Sequence, residues 1–471
     1  MKKITEKDLL KLTSVNLVNK KLFSRHRVIG ISTDSRSVGK ANIFFALHGD
    51  HFDAHNFIGD VVKHDVAAIV IRKEWAEKNA ARLKSFPCAC IIVPDVIIAL
   101  GELARIYRRK FDIPVIAIGG SNGKTTTKEM VTAVLKAKYA VLNTEGNLNN
   151  HIGVPQTLFR LTSDHDMAVI ELGTNHFGEL SYLCKIAEPT HGLLTNIGKE
   201  HLEFFGDENG VAKEEKELFR FLEQHDGFAF INSDDRYLED ESKNIKKSMS
   251  FGTISKADVR AKNITMNALG QATFQCKWLK KDISMSVNLS VPGIHNVSNA
   301  LAAVSVGLKM KVKEKKIINA LKNFSSASKR MEIFSHNGVT ILNDTYNSNP
   351  DSVIVALKTL QSLTTNGKKI AVLADMRELG ESSKREHTNI GVIAAEMKFS
   401  HLFTYGPFSK YTNEAYNRDN GKHFESKDEL AEVLNSILHS GDVVLVKGSR
   451  GMRMEDVVAH LTAVHEHVTM N

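Results

Sequence analysis

The sequence predicts an α/β protein of three domains, and three observations carry that expectation. Its 471 residues suggest about three domains at roughly 150 residues each. Continuous apolar runs of strand length alternate with helical patterns, as in parallel sheets buried on both faces. These runs form two separate series with a hairpin-like stretch between them. The expected division is 1–94 for an N-terminal domain, 95–327 for a central domain with a mostly parallel sheet plus a small antiparallel sheet, and 328–471 for a Rossmann-like C-terminal domain.

In the first domain IFFALHGD (43–50), VAAIVI (66–71) and CACIIVP (88–94) read as strands. Cys88 and Cys90 alternate within the last of these, so they share one face and pack there. The segment DVIIALGELARIYRRKFD (95–112) reads as a helix that stops before Pro114, its Arg105, Arg108, Arg109 and Lys110 placed where cations complement the helix dipole. The central series runs VIAIGG (115–120), MAVIELG (167–173), GLLTNIG (192–198) and FAFINSDD (228–235). Each run ends near a polar residue (Lys124, Glu171, Asn196, Asn232), and ligands of open parallel sheets bind beyond the carboxyl ends of strands. The stretch 263–293 alternates as antiparallel strands do. The last series is GVTILNDTYNSNP (338–350), KIAVLADM (369–376), HLFTYG (401–406) and DVVLVKGS (442–449).

The balance of 62 basic against 54 acidic residues leaves +8, without a Lys/Arg block long enough to point to nucleic acid. No run reaches the roughly 18 apolar residues of a membrane span, and the N-terminus lacks the apolar core of a secretory signal. Four irregularly spaced cysteines suit neither a disulfide framework nor a zinc site. A cytoplasmic monomer is expected.

The strongest local signal is VIAIGGSNGKTTTKEMVTAVL (115–135). A buried strand feeds a glycine turn, and a helix begins at the lysine. Such a turn offers backbone N–H groups and a positive helix end to an anion. Gly120, Ser121, Asn122, Gly123, Lys124, Thr125 and Thr126 are therefore expected to hold ATP, with Lys124 reaching the β- and γ-phosphates and the Thr125 hydroxyl ligating Mg2+. The spacing is GxxGKT, shorter than the usual phosphate-loop motif.

With that short loop, and with TDSRSVGKANIFFALHGDHFDAHNFI (33–58), NTEGNLNNHIGVPQTLF (143–159), ELGTNHFGEL (171–180), TNIGKEHLEFFG (195–206), GIHNVSNALAA (293–303), NDTYNSNPDS (343–352), VLADMRELG (372–380) and VKGSRGMRME (446–455) in order, the chain resembles the Mur ligase family of bacterial cell-wall synthesis over nearly its whole length. The resemblance implies an N-terminal domain that grips a UDP-sugar, a central ATPase and a C-terminal domain for an incoming amine. It is nearest to the branch that joins D-alanyl-D-alanine to UDP-N-acetylmuramoyl-tripeptide. The implied route runs through an acyl phosphate, with ATP going to ADP and phosphate. A carboxylate has no good leaving group until it is phosphorylated, and bringing two anions together demands cations and close positioning.

The resemblance also assigns residues. Glu171 and His201 match metal-binding positions, and Asn299, Arg330 and Asp344 match nucleotide contacts. Asp34, Ser35 and Arg36 form a polar turn implied to contact uracil or ribose. Asn147, Asn149 and Asn150 are read as a loop-locking network, a clamp on the muramoyl substrate, or both, since buried amides need partners. For the amine, Tyr346, Asn347 and Asn349 are expected to supply an aromatic wall and amide hydrogen bonds. Lys447 is expected to face a phosphate or a carboxylate, unless it is a solvated strand-end lysine.

The main departure is at Glu215, where many family members carry a lysine that CO2 converts to a metal-binding carbamate. Lys216 is one residue on, rotated by about 100° along a helix. The expectation is that Glu215 supplies a permanent carboxylate in place of the carbamate. Ala374 and Ala54 replace glycines more usual in the family. Rival readings are another ligase of this architecture, disfavoured by the lack of a DNPR segment, and a nucleotide-dependent binding module with no covalent product.

Overall fold

The computed structural model describes residues 1–241, 245–254, 256–325 and 329–463. The expected boundary at 327/328 lies outside these residues. Three α/β layers follow one another along the chain. The first is a five-stranded sheet ordered Asn16–Val18, Ala89–Val93, Ala68–Arg72, Asn42–Phe45 and Gly30–Ser32. All of its pairings are parallel except the first. Cys88 and Cys90 are buried together in one apolar cluster on this sheet, and all four cysteines are free.

The helix Val96–Arg108 leads into the second layer, its N-terminus closed by the Asp95 carboxylate, which accepts from the N–H groups of Ile97 and Ile98. The basic cluster at its end does more than complement a dipole. Arg108 is buried and donates to the carbonyls of Phe111, Ile113 and Ala187, while Arg105 and Arg109 pair with Glu188 at 2.8 and 2.6 Å.

The second layer is a nine-stranded sheet. From one edge it runs Ile283–Pro292, Gln271–Trp278, Val259–Met266, Ser248–Gly252, Phe228–Asn232, His191–Leu194, Val115–Gly119, Met167–Glu171 and Val141–Asn143. The antiparallel strands expected between the two series are present, and they continue the edge of the parallel set within one sheet. Every residue of Val115–Gly119 and of Met167–Glu171 is buried, which is why those runs are apolar without alternation. Val115–Gly119 has Met167–Glu171 on one side and His191–Leu194 on the other. Chain succession reverses there, so the segments after these three strands open onto a switch-point crevice. The helix Lys124–Lys136 covers this sheet and packs on Asn296–Lys309, where Gly307 lets Val134 approach: a Cβ at Gly307 would lie 2.6 Å from Val134 Cγ1.

The third layer has six strands ordered Glu332–His336, Val339–Asp344, Val443–Lys447, Lys369–Ala374, His401–Tyr405 and Gly421–Phe424, parallel except for the first pair. No helix among the described residues is long and apolar enough to cross a membrane.

Candidate active site

The strand Val115–Gly119 delivers the chain into a turn whose two glycines, Gly120 and Gly123, have φ of +106° and +81°. Glycine adopts this region without steric cost. Space demands it too, since a Cβ on Gly120 would lie 2.7 Å from Thr195 N and one on Gly123 2.7 Å from Asn299 Oδ1. The neighbouring segment braces the turn. Ser121 N donates to Asn196 O at 2.8 Å, Asn122 N to Asn196 Oδ1 at 3.1 Å, and Asn196 Nδ2 to Asn122 O at 2.9 Å. Asn299 lies behind it, accepting from the Thr127 hydroxyl at 3.1 Å. The turn lines a cleft of about 780 Å³ that also takes in Asn147, Asn149, Asn150, Glu171, Glu200, His201, Arg330, Asp344, Tyr346, Asn347, Asn349 and Lys447.

Charge is concentrated around Lys124. Its ammonium lies 3.1 Å from Glu200 Oε2. Burial works to lower the lysine's pKa, but Glu200, then Glu215 and Glu171, outweigh it and hold the ammonium above its usual range. Glu171 is buried. Its Oε1 accepts from the Thr125 hydroxyl at 3.2 Å and from Asn149 Nδ2 at 2.9 Å, whereas Oε2 accepts no hydrogen bond and stands 3.7 Å from Lys128 Nζ. Thr125, Glu171 and His201 are not a ready-made metal cage, because no group of three or more His, Cys, Asp or Glu among the described residues is arranged to hold an ion. Magnesium does not require one. It keeps several waters and takes one or two carboxylates together with substrate phosphates, and the free oxygen of Glu171 beside Thr125 fits that demand.

The third domain supplies the opposite wall. Arg330 lays its guanidinium 3.8 Å from the centre of the Tyr346 ring, a cation–π contact. Asn349 caps the helix Pro350–Ser362 and donates from Nδ2 to Asn122 Oδ1 at 2.9 Å, tying this wall to the phosphate turn. His201, itself left-handed at φ +48°, sets Nδ1 2.8 Å from Glu378 Oε2, and the imidazole holds that carboxyl below its usual range.

Several expected roles are corrected. Gly120 does not present its N–H to the cleft, because the Glu215 carboxylate accepts it at 2.7 Å. Glu215 does not line the cleft: it is buried behind the turn, with Oε1 unpartnered. Burial, opposed by Lys124 and reinforced by Glu200, pushes its pKa up to about 7. Lys216 points away and pairs with Glu241 at 2.9 Å, as the helical rotation requires. Lys447 is neither solvated nor free for a ligand's charge; it is 2% exposed and donates to Asp344 Oδ2 at 2.6 Å and Asn347 O at 2.9 Å. Asp344 is thereby committed to that pair and to Met331 N. Asp34, Ser35 and Arg36, expected to contact the UDP-sugar rather than ATP, lie on the first domain outside this cleft, with Arg36 and Asp34 paired at 2.7 Å on the surface. Asn150 caps Ile152 and Gly153, the loop-locking half of its expected role. Sequence reasoning passed over Glu200, Arg377 and Glu378. Glu200 carried one signal, its place beside His201 in TNIGKEH.

Residues 118–307 match the family model described as the Mur ligase middle domain, and residues 329–450 the one described as Mur ligase, glutamate ligase domain. A UDP-N-acetylmuramoyl-tripeptide–D-alanyl-D-alanine ligase of Bacillus subtilis is 31% identical over 466 residues, 98% of this chain and 99% of its own length. Among solved structures, MurF from Acinetobacter baumannii is similar with a TM-score of 0.88 at 33% identity, covering 98% of this chain and 99% of that one. MurF ligase from Thermotoga maritima in complex with ADP gives 0.82 at 26% identity over 94% of this chain and 98% of that one.

Proposed function

Because the chain belongs to the Mur ligase family, we infer that its cleft joins D-alanyl-D-alanine to UDP-N-acetylmuramoyl-tripeptide, with ATP going to ADP and phosphate. The observation that carries the reading is the braced turn Gly120–Thr126, with Lys124 held among three carboxylates opposite an amide- and aromatic-lined wall. The N–H groups of Gly123 and of the first turn of the helix Lys124–Lys136 cradle the phosphates, those of Ser121 and Asn122 being held by Asn196. Lys124 exchanges Glu200 for the terminal phosphate when ATP arrives and neutralises charge as the tripeptide carboxylate attacks phosphorus. The resulting acyl phosphate meets the dipeptide amine, and a tetrahedral adduct collapses with loss of phosphate. Glu171 and Thr125 hold Mg2+, which offsets the charge on the phosphates when bound. Tyr346, Asn347 and Asn349 orient the amine substrate, and Arg330 and Asn299 flank the nucleotide.

The domain division 1–94, 95–327 and 328–471 then corresponds to nucleotide-sugar, ATP and amine binding, with the turn Asp34–Arg36 on the first. We propose further that the enzyme works as a monomer in the cytoplasm. Incubation with ATP, magnesium and both peptides should give a product heavier than the UDP-tripeptide by one dipeptide less one water, with one phosphate released for each bond formed. With β,γ-bridge-labelled ATP and no amine, the label should scramble only when the UDP-tripeptide is present. Slow phosphate release indifferent to both peptides would instead favour a nucleotide-dependent binding module.

A further inference from the structure

The cationic side chains of the cleft are mostly spent. Lys124 is paired with Glu200, Lys447 with Asp344, and His201 with Glu378, while Arg330 is stacked on Tyr346. Arg377 is different. It lines the same cleft, is exposed, and among the described residues its guanidinium has neither a hydrogen bond nor an ion pair. Its backbone is fixed nonetheless. Ser449 accepts from Arg377 N at 2.8 Å, donates its hydroxyl to Ser348 O at 3.2 Å, and donates its own N–H to Asp375 O at 3.1 Å. One serine thus knits together the segments that follow three adjacent parallel strands, Val339–Asp344, Lys369–Ala374 and Val443–Lys447. Gly451 leaves the room in which the guanidinium rests, since a Cβ there would lie 2.3 Å from one of its terminal nitrogens. Ser348, also on the cleft and 4% exposed, has a hydroxyl with no hydrogen-bond partner among the described residues. A buried hydroxyl without a partner is costly unless a ligand completes it.

We propose that Arg377, with the Ser348 hydroxyl, receives the free carboxylate of the incoming dipeptide. The inference rests on the ligase reading above and adds the subsite that anchors the far end of the amine substrate. A dipeptide that attacks through its amine must be held by its other end, and a guanidinium fork with a hydroxyl donor suits a carboxylate. The site would therefore favour an amine acceptor with a free acid over its amide.

The test compares D-alanyl-D-alanine with D-alanyl-D-alaninamide as acceptors for the full chain and for Arg377→Ala, Arg377→Lys and Ser348→Ala. The wild type should use the acid roughly 10- to 100-fold better in kcat/KM, as befits one charge-assisted contact. Arg377→Ala should raise the KM for the acid by that factor, leave the KM for the amide within about twofold, and so erase the preference. Arg377→Lys should restore part of it, and Ser348→Ala should lose a smaller share. A wild type without acid preference overturns the proposal, as does an Arg377→Ala variant that keeps the preference or loses acid and amide equally. A wild type that ligates neither acceptor removes the ligase reading and this subsite with it.

Discussion

At the residue scale the chemistry turns on how a buried lysine and its carboxylates share charge. Replacing Lys124 with Met removes the cation shared by Glu200, Glu215 and Glu171 and the group placed to meet the terminal phosphate. Activity should fall by at least about a thousandfold, on the scale of losing a preorganised electrostatic donor, as read by product formation at saturating ATP. Glu215 makes a different prediction, because its carboxyl titrates near pH 7 when folded against 4.5 as its ordinary value. Between those values the folded chain holds a proton that the unfolded chain has released. Stability from this group is therefore greatest below about pH 4.5, falls as pH rises toward 7, and is level above it. The most it can shift is about 3 kcal/mol. Glu215→Gln keeps the shape and cannot ionise, so the Tm of the variant minus that of the wild type should grow by a few degrees from pH 5 to 7. A flat difference would show that the carboxyl ionises normally. As a carboxyl group built into the chain behind the turn, needing no CO2 to form, Glu215 also predicts that wild-type activity is indifferent to bicarbonate and that Glu215→Ala lowers it. None of this pairing was legible in the sequence: Lys447 and Asp344 are 103 residues apart, and a strand-end lysine looks the same whether solvated or neutralised.

At the element scale the sequence was far more informative, for a physical reason. Strands such as Val115–Gly119, Met167–Glu171 and Val443–Lys447 are buried throughout, so burial is written into consecutive residues and survives without knowledge of neighbours. Short edge strands escaped notice. Asn16–Val18 and Gly421–Phe424 are three and four residues long and half exposed, which leaves little periodicity to read. The phosphate turn belongs with the legible elements, and its Gly123, set against Gly178 at the start of the helix Glu179–Ala187, separates conformational strain from crowding. Gly123 and Gly178 are both left-handed with nearly the same backbone angles, φ +81° and ψ 0° against φ +89° and ψ −11°, yet a Cβ at Gly123 meets Asn299 at 2.7 Å while one at Gly178 meets nothing within 4 Å. Gly178→Ala should cost only the strain of a left-handed alanine, of order 1–2 kcal/mol, with the KM for ATP within about twofold of wild type. Gly123→Ala adds displacement of Asn299 and of its bond to Thr127, so kcat/KM for ATP should fall at least tenfold. Equal effects of the two substitutions on ATP kinetics would mean that Asn299 does not support the turn.

At the scale of the whole molecule, the cleft exists because the third domain is held against the second by polar contacts beside a shared apolar cluster. Lys199 is central to them: its N–H donates to Asp351 Oδ2 at 2.7 Å, and its ammonium reaches Glu386 at 2.8 Å. Asn122–Asn349, His201–Glu378 and the backbone bonds from Glu203 N to Glu378 O and from Thr364 N to Ala268 O, both 3.2 Å, also cross the seam. Apolar side chains from both sides, Leu202 and Phe205 with Met376 and Leu379, belong to one buried cluster, and the polar contacts around it leave the interface adjustable. Breaking a fully buried ion pair costs about 3–5 kcal/mol, but two facts reduce that here. The Lys199 side chain is 31% exposed, and Arg385 stays within 3.2 Å of Glu386 after the lysine is gone. The backbone bond to Asp351 also survives a side-chain change. Lys199→Ala should therefore shift the balance toward separated domains by about 1–2 kcal/mol, roughly a tenfold change in population. Small-angle scattering should show a larger radius of gyration for the variant than for wild type without ligands, and ATP with the UDP-tripeptide should bring the two together. kcat should fall up to tenfold while thermal stability changes little, because the contact joins domains rather than filling a core. If scattering and kcat both match wild type, the seam is held by its amide and backbone bonds, and the Lys199–Glu386 pair is a surface contact of little consequence.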